Sequence, residues 1–264
     1  MNQLGFLVIL LYAMASSVAL AKPGTLVVGA VGDSISTGFN AAYWGDNRNL
    51  SWSTGKDARI NSHFKRFAEL HPESQVKAVN IAIPASQAKH LAGQVSYLMH
   101  YEPDYVTVTT GANDVCTWKE DYAEDLQEFT EDLRAQVGIM VETKSTIKIL
   151  LTPVPNLYNL WQVASKKPSC QAKWDLVGIC RLLLSSSSDE ASRQGFVGRW
   201  LDINAAIAQV AAEYPENVLY NPEIANTDFE WEQISPKDCF HPSINGLNLI
   251  AEKTWMLSEE SAAP

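Results

Sequence analysis

A short continuous apolar run at 25–31 is bounded by Gly24 and Gly32, and similar, predominantly apolar runs rich in β-branched side chains recur at 76–83, 105–110, 147–152 and 218–220. A strand covered on both faces has no polar side to show, so an unbroken run, not an alternating one, marks it. Between the runs lie segments with helical spacing at 57–70, 87–99, 118–141, 196–213 and 244–257. In the last of these, Leu247, Ile250, Ala251 and Thr254 fall on one face. Strands that alternate with helices are joined by right-handed crossovers, which place helices on both faces of a parallel sheet. The pattern therefore predicts an α/β fold: a three-layer α/β/α sandwich around a central parallel sheet of about five strands. Residues 153–195 break the rhythm with Pro153, Pro155, Pro168 and the serine run 185–188, and read as an insertion within one domain spanning 22–264. In such sheets ligands bind beyond the carboxyl ends of the strands, so the strand-exit loops are where chemistry is expected.

Composition narrows the class. The chain has 264 residues, 46% hydrophobic and 19% charged, which suits a buried core and not global disorder. An apolar run at 4–20 ends in Ala19-Leu20-Ala21, followed by Lys22-Pro23. This reads as a signal peptide of residues 1–21 cleaved after Ala21, implying a secreted or periplasmic protein with no membrane-spanning segment once mature. The net charge of −10 and the lack of a basic patch argue against nucleic acid as a partner. Transient contact with lipid stays compatible with it, and oligomeric state is not legible. Cys116, Cys170, Cys180 and Cys239 are an even set in an exported chain, which favours two disulfides over a zinc site. Three pairings remain open.

The first run exits into Gly32-Asp33-Ser34-Ile35-Ser36, the second into Pro84-Ala85-Ser86, and the third into Gly111-Ala112-Asn113-Asp114. Just before the last helical segment comes Asp238-Cys239-Phe240-His241. Each alone is ordinary turn chemistry, since Gly, Asp, Asn and Ser all favour caps and turns. In combination they place a serine hydroxyl, two candidate N–H donors and an Asp/His pair on loops expected at one end of the sheet. Of the five histidines, His241 alone has a carboxylate beside it on a loop; His63, His71, His90 and His100 lie in or at the ends of helical segments.

Taken together these blocks resemble the GDSL or SGNH hydrolase family, whose four blocks carry Ser, Gly, Asn and His. Arg48-Asn49-Leu50-Ser51-Trp52-Ser53-Thr54-Gly55-Lys56-Asp57 is similar to a segment of that family's phospholipase B-like branch. The resemblance runs from about residue 27 to 250. It implies a flavodoxin-like SGNH hydrolase fold and an esterase or lipase acting on fatty-acyl esters such as phospholipid or lysophospholipid. It further implies a triad of Ser34, His241 and Asp238, an oxyanion hole from Ser34, Ala85 and Asn113, and neither metal nor organic cofactor. At the second block Ala85 stands where the family has glycine, so its N–H serves as a donor if φ there is negative. Asp33 and Asp114 are expected to hydrogen-bond within their turns. Tyr43, Trp44, Trp52, Trp161 and Trp174 are aromatics open to either a groove or a core role. Because the base must be neutral, kcat/KM is expected to rise with pH through about 6 to 7, where an ordinary imidazole titrates. A carbohydrate acetylesterase, an arylesterase or thioesterase on the same triad, and a non-catalytic binding module are the competing readings.

Overall fold

The five apolar runs form five strands in the computed structural model, which describes residues 24–116 and 122–256: β1 (Thr25–Gly32), β2 (Gln75–Asn80), β3 (Tyr105–Thr109), β4 (Lys148–Thr152) and β5 (Val218–Tyr220). Every neighbouring pair is parallel, in the order β2-β1-β3-β4-β5. The proposed signal segment 1–21 and the start of the helix expected at 118 lie outside the described residues.

The helices are α1 (Ser34–Thr37), α2 (His63–Leu70), α3 (Leu91–Met99), α4 (Ala112–Val115), α5 (Tyr122–Thr143), α6 (Leu157–Ala164), α7 (Pro168–Val177), α8 (Arg181–Leu184), α9 (Glu190–Glu213) and α10 (Ile244–Lys253). α3, α5 and α9 pack side by side, and α2 and α10 pack together on the opposite face, His63 meeting Ala251 of α10, and His63 and Phe67 meeting Trp255 just beyond its end, as right-handed crossovers demand. β3 is buried throughout and β1 nearly so, whereas the edge strands β2 and β5 are only partly covered. His63 is fully buried and ties the layers together: one ring nitrogen meets the Tyr105 hydroxyl at 2.9 Å and the other the Ala251 carbonyl at 3.1 Å. Burial holds its pKa down at about 3, so it is a neutral structural side chain at working pH.

Element ends differ from expectation where a side chain captures the backbone. β2 stops at Asn80, short of 83, because the Asn80 carboxamide turns inward to accept the Ala82 N–H. α2 begins at His63, not 57, because Asp57 is engaged with Arg59 while Ser62 Oγ accepts the Lys65 N–H as the N-cap. α9 starts at Glu190, six residues before expectation, with Asp189 capping Ser192 N–H. The region 153–195 is helical, supplying α6, α7, α8 and the start of α9; Asn156 caps α6, Pro168 opens α7 and Gly178 closes it at φ 68°.

Two disulfides fasten this insertion to the strand-exit loops. Cys116, after α4, bonds Cys180 between α7 and α8; Cys170 in α7 bonds Cys239 in the loop before α10. β1 sits between β2 and β3, so the chain departs from it toward opposite edges and leaves a crevice beyond the carboxyl ends of β1 and β3.

Candidate active site

Gly32 ends β1 at φ 120°, with no room for a side chain: a Cβ there would lie 1.9 Å from the Thr109 carbonyl oxygen. This contact lets Asp33 N–H bond Thr109 O at 3.1 Å and holds the exit of β1 against that of β3. Asp33 then caps α1, accepting the Ile35 N–H at 2.9 Å, and Ser34 stands as the first helical residue in the crevice.

His241 reaches this point from the other end of the chain. Its Nε2 lies 2.8 Å from Ser34 Oγ and its Nδ1 2.6 Å from Asp238 Oδ2. Asp238 Oδ1 accepts the Phe240 and His241 backbone N–H groups at 2.9 and 3.0 Å, so the loop shapes itself around the carboxylate. Burial alone would raise the Asp238 pKa, but hydrogen bonds from His241 and Asn40, with the attraction of the imidazole, hold it at about 2. An ionised carboxylate only accepts, so Nδ1 carries the imidazole proton and Nε2 presents its lone pair to Ser34. Phe39 and Phe240 flank the imidazole with ring centroids 5.1 Å away on each side.

Asn113 is the second residue of α4, and its amide donates to the Ser86 carbonyl at 2.9 Å. Ala85 has φ 63°, so the negative φ that the sequence reading required is absent. The Cβ therefore carries strain of about 1 kcal/mol or more. Ala85 nonetheless lines a pocket with Ser34, Asn113 and His241. Gln94 on α3 braces both loops: its Oε1 accepts Gly32 N–H at 2.7 Å, and its Nε2 donates to Gly32 O at 3.1 Å and Ser86 Oγ at 3.0 Å.

The Arg48 segment acts behind the site. Arg48 donates to the Asn80 carbonyl and side-chain oxygen at 3.1 and 3.0 Å and to Ala82 O at 2.8 Å. Asn80 Nδ2 donates onward to Ser36 O at 2.9 Å and Thr54 Oγ1 at 2.8 Å. The network joins the Ser34 turn to the segment leading into Ala85.

Asp33 and Asp114 do not touch the reacting groups. Burial, only partly offset by the Ile35 N–H and reinforced by the Asp114 charge, pushes Asp33 up to about 7. Burial likewise lifts Asp114 to about 6 against the hydrogen bond from Ala88 N–H, 3.2 Å away. That bond adds a link to a second loop beyond the backbone hydrogen bonds that Asp114 takes within its own turn, from Gly111 and Asp114. Among the described residues no group of three or more His, Cys, Asp or Glu side chains is arranged to hold a metal ion.

Two apolar hollows meet at Ser34 and His241. One is lined by Ile35, Pro155, Leu157, Leu160, Phe229 and Phe240; the other by Phe39, Pro84, Ile179 and the Cys116–Cys180 bond. The aromatics weighed from sequence are not among them: Trp52 and Trp174 are buried in the core, Trp161 stacks under Arg193, and Tyr43 and Trp44 stand exposed. Phe39, Phe229, Phe240 and Leu160 carried no sequence signal, because an apolar residue lining a pocket resembles one filling a core.

Solved structures share the fold of this chain. A GDSL-like protein of Parabacteroides merdae superposes with TM-score 0.58 at 15% identity, covering 88% of this chain and 95% of its own. An acetyl xylan esterase gives 0.53 at 16%, covering 87% and 98%, and a lipase/acylhydrolase from Enterococcus faecalis 0.52 at 14%, covering 87% and 92%. At these identities the likeness is one of fold. No curated protein sequence matches significantly. The GDSL-like Lipase/Acylhydrolase family model, however, matches residues 28–254, which take in every block from β1 to the end of α10. With that match the chain belongs to the GDSL-like lipase/acylhydrolase family and is a hydrolase of ester bonds.

Proposed function

We propose that this hydrolase is exported and cleaves acyl esters of lipids, of the phospholipase or lysophospholipase kind, through an acyl-enzyme on Ser34. The observation that carries the reading is the continuous chain of hydrogen bonds Ser34–His241–Asp238, opening onto apolar hollows. His241 Nε2 takes the Ser34 hydroxyl proton as Oγ attacks the ester carbonyl, and Asp238 stabilises the imidazolium that forms. The backbone N–H of Ser34 and the side-chain amide of Asn113 stabilise the oxyanion, each by about 3 kcal/mol. The imidazolium then protonates the departing alkoxide, and water activated by the same His241 releases the acid. Apolar walls favour an aliphatic chain over a sugar, and Phe39 and Phe240 exclude water from the imidazole. The two disulfides support export to an oxidising compartment. No described helix is long and apolar enough to cross a membrane.

The test is a chain-length series of p-nitrophenyl esters run beside lysophospholipid, with Ser34→Ala in parallel. Ser34→Ala abolishes turnover and fluorophosphonate labelling while its melting curve stays that of the parent; surviving turnover removes Ser34 as nucleophile. Activity confined to acetyl esters transfers the assignment to a carbohydrate acetylesterase.

A further inference from the structure

Asp238 has a partner that none of the four sequence blocks contains. Asn40, in the turn after α1, is buried at φ 57°, a left-handed conformation that asparagine tolerates better than most residues with a side chain. Its N–H donates to Gly45 O at 2.8 Å, and its Oδ1 accepts the Gly45 N–H at 2.8 Å. Its carbonyl accepts from Ser235 Oγ at 2.6 Å, and its Nδ2 donates to Asp238 Oδ2 at 2.6 Å. The last bond falls on the same oxygen that receives His241 Nδ1–H. Ser235 completes the clamp from the other loop, its own N–H donating to His241 O at 2.8 Å.

We infer that Asn40 is a positioning residue for the proposed triad: it locks the Asp238 carboxylate in rotation and shares the charge that His241 feels. The inference rests on the reading of Ser34, His241 and Asp238 as catalytic. Both Asp238 oxygens are engaged: Oδ1 by two backbone N–H groups and Oδ2 by His241 and Asn40. Without Asn40, Oδ2 keeps one donor and the carboxylate is freer to swing away from Nδ1. The Asp238 charge then falls more heavily on the imidazolium. The nearby cations are directed elsewhere, Lys237 of the same loop over the Trp44 ring and Lys173 of α7 onto the Pro236 carbonyl.

Two substitutions separate positioning from folding. Asn40→Asp keeps the size, the tolerance of positive φ and the acceptor for Gly45 N–H, but sets a second carboxylate against Oδ2. At the 2.6 Å that Asn40 Nδ2 now spans, the two carboxylates share one proton, which keeps the bond to Oδ2; loss of that proton breaks it, so kcat/KM gains a descending limb at higher pH that the parent lacks, while KM stays within about twofold. Asn40→Gly keeps the backbone conformation and removes the donor, and its kcat falls roughly tenfold with KM little changed. In an Asp238→Asn background either substitution costs less than about twofold more, since the bond it removes no longer serves an ionised partner. The inference is overturned if kcat/KM of Asn40→Asp follows the parent's pH profile on both limbs. It is equally overturned if the losses persist undiminished in the Asp238→Asn background, which would assign Asn40 to loop folding alone. Failure of the catalytic reading itself shows separately, as turnover that survives Ser34→Ala.

Discussion

Ala85 holds a side chain in a backbone conformation that glycine occupies without strain, at φ 63°. Replacing alanine by glycine ordinarily costs about 0.5–1 kcal/mol through the freedom gained by the unfolded chain. Here relief of the strained Cβ offsets that loss, so Ala85→Gly should unfold at a denaturant midpoint equal to or above the parent's and retain its esterase activity. Asp33 allows a second measurement at this scale. Its folded pKa, raised to about 7 by burial, exceeds that of an unfolded aspartate, about 4. The folded state therefore binds a proton through that window, and the stability Asp33 contributes is present below about pH 4 and lost as pH rises through 7. Asn keeps an acceptor for the Ile35 N–H and does not titrate. Relative to the parent, Asp33→Asn should gain on the order of 1.4 kcal/mol for each pH unit between 4 and 7, read as urea midpoints across that range. Parallel pH profiles for both proteins would contradict the shift. The proposed catalytic residues were legible because four turn motifs, each ordinary alone, occur in order at the strand exits and before the last helix; Asn40 and Gln94 were not, because buried amides acquire meaning only from the atoms they face.

Among the elements, α3 matters to the site although it touches no reacting atom. Gln94 supplies the acceptor for Gly32 N–H and links the Ser34 and Ala85 loops through Ser86. Gln94→Met keeps the volume and leaves the Gly32 N–H buried without that acceptor, a loss of about 1–3 kcal/mol in a denaturant titration. Turnover should fall with it, since the two loops then shift independently; unchanged stability would mean another acceptor replaces Gln94. Strand existence and order of appearance could be read from the apolar runs because a sheet covered on both faces leaves no other pattern. Element ends were less legible. Asn80, Ser62 and Asp189 decide them by side-chain capture of the backbone, and each residue type is equally at home in a plain turn. Asn156 and Pro168 likewise started helices in a segment that proline and serine content had marked as irregular.

At the scale of the whole molecule, the two disulfides join the helical insertion to the loops carrying Asn113 and His241. Cys239 lies between Asp238 and His241 at φ 60°, so its bond to α7 anchors the His241 loop directly. Paired replacement of Cys170 and Cys239 by serine should cost about 2–5 kcal/mol and lower kcat as the His241 loop loosens. Denaturant titration and steady-state kinetics of the double variant read the two effects, and full activity would show that the loop is held without the bond.

Local pattern alone determined the α/β class, the parallel sheet, the four chemical blocks and the even cysteine count, because strand burial and turn chemistry are written in neighbouring residues. Tertiary structure decided what depends on distant parts of the chain meeting. It selected the cysteine pairing from three possibilities, brought His241 to 2.8 Å from Ser34, and set Asn40 on the same oxygen of Asp238 that His241 meets. It also turned scattered apolar residues into the walls of two hollows. Contacts between residues some two hundred positions apart are products of the crossover connections, and no local signal encodes them.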